Sequence, residues 1–143
     1  MSSFPPEQHL AITSNSIQIA LVGDIILDTD EPSRLFDASR AALKRANVVV
    51  GQVEVPHSRR GVQSHFDIPA PPSDPARLRA LADTNMTVAT LVGNHIFDQG
   101  RVGIENTLEV LQAQQILTTG AGLNRAEAKR PQSWNGMASL SEC

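Results

Sequence analysis

Residues 86–119 read MTVATLVGNHIFDQGRVGIENTLEVLQAQQILTT. Met86–Val92 is an apolar run with β-branched Thr and Val, and reads as a buried strand. Gly93 to Gln99 is a turn. Gly100–Gln115 follows as a helix, with Ile104, Leu108 and Leu111 spaced to share one face. Ile116–Thr119 returns as a strand, closed by Gly120-Ala121-Gly122. A strand–helix–strand unit of this kind is the crossover that parallel strands need.

The same alternation extends toward the N-terminus. Ile17–Val22 reads as a strand closed by Gly23-Asp24, and Ile25 to Asp30 as a loop. Asp30 or Glu31 caps a helix with Pro32 in its first turn, running to about Ala46. Asn47–Val55 is a second, Val-rich strand, and Pro56 to Pro72 a long polar loop. Asp74-Pro75 opens another helix, which ends near Thr84. Residues 124–135 read as irregular, and Met137–Leu140 as a fifth strand. The expectation is an α/β fold with a largely parallel sheet covered by helices on both faces.

Composition narrows the partners. The 143 residues suit one domain, placed at 17–143 behind a flexible leader at 1–16. The net charge is −3 and aromatics are 3%, with no Tyr, so no nucleic-acid partner is expected. Cys143 is the only cysteine, which excludes an internal disulfide and a Cys-based zinc site. No apolar run approaches the ~18–20 residues of a membrane span, and the leader lacks the basic start and apolar run of a secretory signal. A cytoplasmic location is the expectation.

Ligands of open α/β sheets bind outside the C-terminal ends of the strands. Asp24, Glu54 and Asn94-His95 fall at three such ends. These are oxygen and nitrogen donors suited to Mg²⁺, Mn²⁺, Fe²⁺ or Zn²⁺. Such an ion polarises a phosphoryl oxygen and lowers the pKa of bound water. Each residue also has a plainer reading. Asp24 can bond turn amides, Glu54 can pair with Arg59 or Arg60, Asn94 can take a left-handed turn, and His95 can be structural. Asp98 reads as the cap of the following helix, as the group that orients His95, or as both. His57, His65, Arg59 and Arg60 read as a solvated loop. Gly120-Ala121-Gly122 is similar to a dinucleotide loop, but Arg125 holds the third glycine's place and no Walker sequence is present.

Leu91 to Pro131 carries Asn94-His95, Asp98, Gly100, Gly103, Thr107, Leu111, Gly120-Ala121-Gly122, Asn124, Glu127-Ala128 and Pro131. In this order the residues resemble the bacterial capsule synthesis family, also called CapA or PgsA, the poly-γ-glutamate biosynthesis proteins. Gly23-Asp24 is similar to that family's opening Gly-Asp. Glu54-Val55-Pro56 is similar to its Asn-x-Glu-x-Pro, with Gln52 where Asn is usual. The resemblance covers Ile17 to Leu140 and implies a fold related to calcineurin-like metallophosphoesterases. It implies Asp24, Glu54 and Asn94 as ligands of a divalent metal and His95 as a catalytic acid or donor, with Asp98 the nearest residue to orient it.

The function expected is a capsule-synthesis-type protein with a metal-dependent hydrolase site, acting on a small-molecule or polymer substrate that bears phosphate or carboxylate. Family members continue past this point with further strands and histidines, so an incomplete fold is expected. The alternatives are a non-catalytic truncated fragment and a small anion-binding module using Gly120–Asn124. An unpaired sheet edge and an uncovered face lead to an expectation of self-association.

Overall fold

The computed structural model describes residues 16–63, 70 and 72–133. Residues 1–15 of the expected leader, His65 and the expected strand at Met137–Leu140 lie outside the described residues. Four strands are described: β1 (Ile19–Ile25), β2 (Val48–Val53), β3 (Met86–Thr90) and β4 (Leu117–Thr119). They form one sheet in the order β1-β2-β3-β4, and every neighbouring pair is parallel. The helices are α1 (Arg40–Arg45), α2 (Gly100–Ala113) and α3 (Arg125–Ala128), with 3₁₀ segments at Pro32–Phe36 and Pro75–Thr84.

Strand order decides how the sheet is covered. When sequential strands are neighbours, right-handed crossovers place every connecting helix on the same face. Val49 and Val53 on that face join Phe36, Leu43, Leu78, Leu81, Ile104 and Leu111 in a single core. The opposite face carries Leu21, Val50, Val88 and Leu117, matched across the strands in register. Leu21 is 75% exposed and Ile19 61%. Helices on both faces were the expectation. Among the described residues they cover one, because the strands keep chain order instead of reversing direction across the sheet.

Three elements differ from the sequence reading. The helix expected from Asp30 or Glu31 to Ala46 is a 3₁₀ turn, a break at residues 37–39, and then α1. At that break Ser39 Oγ donates to the Phe36 carbonyl (3.3 Å) and Arg40 to the Ser33 carbonyl (2.6 Å). Side chains thus take carbonyls that a continuous helix would use for its own ladder. The segment after Asp74 is wound as 3₁₀ throughout, though Asp74 caps it as expected, accepting from Ala76 N–H at 2.9 Å. Residues 125–128 are helical instead of irregular. Asn124 caps α3 by accepting from Glu127 N–H (3.0 Å), and Glu127 reaches back to Leu123 N–H (2.9 Å). That is the reciprocal logic of a capping box, with Asn in the cap position.

Candidate functional site at the sheet edge

β1 does not stop at Gly23-Asp24, as the sequence suggested. It runs on to Ile25, and its pairing with β2 slips between Val22 and Ile25. The slip leaves Asp24 with a φ of 52°, in the left-handed region that residues other than Gly seldom occupy. Such irregularities re-aim side chains at strand ends and beside active sites. Asp24, Gln52, Glu54, Gly93, Asn94 and Gly120 then line a hollow of about 600 Å³ at the C-terminal edge of the sheet.

The three expected metal ligands, Asp24, Glu54 and Asn94, are therefore brought to one place. Among the described residues, no hydrogen bond or ion pair falls on the side chain of Asp24 or Asn94. Asn94 is not left-handed. Glu54 does not pair with Arg59 or Arg60. Arg59 pairs with Asp74, and Arg60 with Glu109 at 2.6 Å. Glu54 Oε2 instead accepts from Gln52 Nε2, while Gln52 Oε1 accepts from Asp24 N–H at 2.9 Å. Gln52, noted in the sequence only as standing where the family has Asn, is the residue that sequence reasoning left without a role. Its signal was its place two residues before Glu54, which puts both side chains on one side of an extended chain.

The approach of β3 leaves little room above this pair. A Cβ on Gly93 would lie 2.7 Å from Gln52 Nε2 and 2.8 Å from Glu54 Oε2. A side chain at residue 93 would therefore displace the ends of Gln52 and Glu54.

His95 lies one residue beyond Asn94 and is not part of the hollow's lining. Its Nδ1 is 2.8 Å from Asp98 Oδ2, and the same oxygen accepts from Ala70 N–H at 2.7 Å. Asp98 is 7% exposed. It does not cap α2, whose N-cap is Gln99 with no side-chain bond. The carboxylate accepts from Nδ1–H and so orients the imidazole.

His57 was expected in a solvated loop, and the structure corrects this. It is 0% exposed. Its Nδ1 donates to the Val55 carbonyl (3.0 Å), and its backbone N–H to Thr107 Oγ1 (2.9 Å). Burial pushes its pKa down to about 4, against the opposing effect of the Val55 hydrogen bond. Loop position misled because the chain folds back under α2, and Thr107 meets it there.

The other sites suggested are less open. Leu123 N–H, in the Gly120–Asn124 turn, already meets the Glu127 carboxylate. A second hollow, of about 570 Å³, lies between the Pro75–Thr84 helix and α2, but its acids Asp74 and Glu109 are paired with Arg59 and Arg60. At the sheet edge, by contrast, the side chains of Asp24 and Asn94 have no partner among the described residues.

The donor set decides which metal suits. Asp24, Glu54 and Asn94 offer oxygens, and two of the three carry charge. Among the described residues no three of His, Cys, Asp and Glu form a group that could hold a metal. Oxygen donors are the type that a hard cation of the Mg²⁺ kind would take, through one or two carboxylates and with several waters kept. They do not suit a tetrahedral nitrogen and sulfur site.

Residues 18–137 match the family model described as bacterial capsule synthesis protein PGA_cap. No curated protein matches the chain. No helix among the described residues is long and apolar enough to cross a membrane. The match spans the β1 edge, the Gln52–Glu54 rim and the Asn94-His95 turn together, and so this chain belongs to the bacterial capsule synthesis protein family.

Proposed function

We propose that the chain is a capsule-synthesis-type protein with a metal-dependent phosphoesterase-like site at the sheet edge. The observation that carries the reading is the hollow itself. It sets Asp24 and Asn94, whose side chains have no partner among the described residues, beside Glu54, next to a His95 held by a buried Asp98. Asp24, Glu54 and Asn94 would hold a divalent ion, and of the ions considered Mg²⁺ and Mn²⁺ suit oxygen donors best. Bound there, the ion would supply Lewis-acid polarisation of a phosphoryl oxygen. The chain's own part is to orient the His95 imidazole through Asp98, and His95 would act as the acid toward a leaving group within hydrogen-bond reach.

The second reading is a family member without catalysis. It is favoured by the absence, among the described residues, of a group of three or more His, Cys, Asp or Glu around one point. Equilibrium dialysis of the purified chain against Mn²⁺, followed by turnover of a generic aryl phosphate, separates the two. Metal retention by the wild type that is lost in the double variant Asp24→Ala, Asn94→Ala supports a metal site, and turnover lost with His95→Ala supports catalysis. Retention equal to that of the double variant refutes the site, and retention without turnover favours the second reading.

A further inference from the structure

We infer that Gln52 is a positioning residue of this rim: its side-chain amide ties the Asp24 backbone to the Glu54 carboxylate and so sets both for a hard cation. The inference rests on the proposed metal-binding reading and adds a residue to it.

Gln52 sits on the central strand β2, between β1 and β3. Val49, Gly51 and Val53 are buried, so Gln52, of opposite parity, is on the face away from the helices. Its two amide ends are used in opposite senses. The oxygen takes the Asp24 N–H, and the NH₂ group donates to Glu54 Oε2. These partners fix the amide's orientation, since the flipped form would set donor against donor and oxygen against carboxylate.

Each bond answers a local need. A non-Gly residue at a φ of 52° sits in a sparsely populated region and persists only where its surroundings over-determine it. The bond to Gln52 supplies that constraint at the Asp24 N–H, from a different strand. Glu54 receives no other side-chain hydrogen bond among the described residues. Without Gln52 its carboxylate is free to rotate, and with it Oε2 is engaged and Oε1 is left for a cation. Gly93 closes over the contact so tightly that a methyl group would strike both partners. Groups that orient a ligand in this way typically change metal affinity by roughly 10–100-fold when removed.

The test uses the full chain with Gln52→Met, which keeps the side chain's length and removes the amide. Gln52→Glu is the partner variant, since it keeps an acceptor for Asp24 N–H. Mn²⁺ affinity is read by electron paramagnetic resonance, Asp24 amide exchange by NMR, and folding by the melting temperature. The expected result is Mn²⁺ binding roughly tenfold or more weaker in Gln52→Met at an unchanged melting temperature. Asp24 exchange should be faster in Gln52→Met and restored to the wild-type rate in Gln52→Glu. Wild-type Mn²⁺ affinity in Gln52→Met overturns the inference while leaving the metal site standing. A wild-type chain that binds no Mn²⁺ refutes the proposed function and the cation part of the inference. Unchanged Asp24 exchange in Gln52→Met then overturns the tie as well.

Discussion

The perturbation with the clearest predicted size is acidification acting on His57. The imidazole is buried, and its pKa falls from 6.5 to about 4. Between those values the unfolded chain binds a proton that the folded chain refuses, so stability rises with pH across the window. The stability is fully present above 6.5 and is lost as pH falls toward about 4. The difference of about 2.5 pH units, at 1.36 kcal/mol each, corresponds to about 3 kcal/mol. That is a large part of the ~5–15 kcal/mol that holds an ordinary domain. Asp74 does not blur the window. Its hydrogen bond from Arg59 draws its pKa below 3.8, so its loss comes at lower pH. The assay is urea unfolding followed by far-ultraviolet circular dichroism at pH 7.5, 6.0, 5.0 and 4.5. The comparison is His57→Asn, whose amide keeps a donor for the Val55 carbonyl and does not titrate. Wild type should lose about 2–3 kcal/mol between pH 7.5 and 4.5, and the variant much less. Equal slopes for the two proteins would refute the reasoning.

Three further outcomes follow from the packing. Thr107→Val removes the acceptor for His57 N–H and strands a buried donor, at a cost of about 1–3 kcal/mol in urea unfolding. Gly93→Ala should weaken Mn²⁺ binding by roughly tenfold in dialysis, since its methyl group meets the ends of Gln52 and Glu54. Undiminished affinity would show that the contact has no bearing on the metal. Leu21→Lys places a charge on the exposed apolar row, and light scattering should show less association at high concentration than in wild type.

Much of the fold was legible because periodicity reports burial directly. Val49 and Val53 of the second strand lie on the core side, and of the Ile104, Leu108, Leu111 face Ile104 and Leu111 are buried while Leu108 packs partly buried against the core. Thr107 belongs to that face because its hydroxyl is satisfied by Gly103 and His57. The cap at Asp74 is local, so Asp-Pro carries it in the sequence, whereas the cap at Asn124 was passed over when residues 124–135 were read as irregular. The sites at Asp24, Glu54 and Asn94 were legible as strand ends, because parallel strands bring their C-terminal ends to one edge.

What remained hidden depends on residues far apart in the chain. Asp24 meets Gln52 across 28 positions, and His57 meets Thr107 across 50. No propensity or spacing rule sees such pairs. Solvent and partner at these places follow from which strand lies beside which. The sequence by itself determined that strands and helices alternate and that the strands run parallel, because hydrophobic period and crossover length are local properties. Tertiary structure alone decided the strand order, and with it which face the described helices cover. It also decided the burial of a loop histidine and the joining of two carboxylate-bearing strand ends through one glutamine.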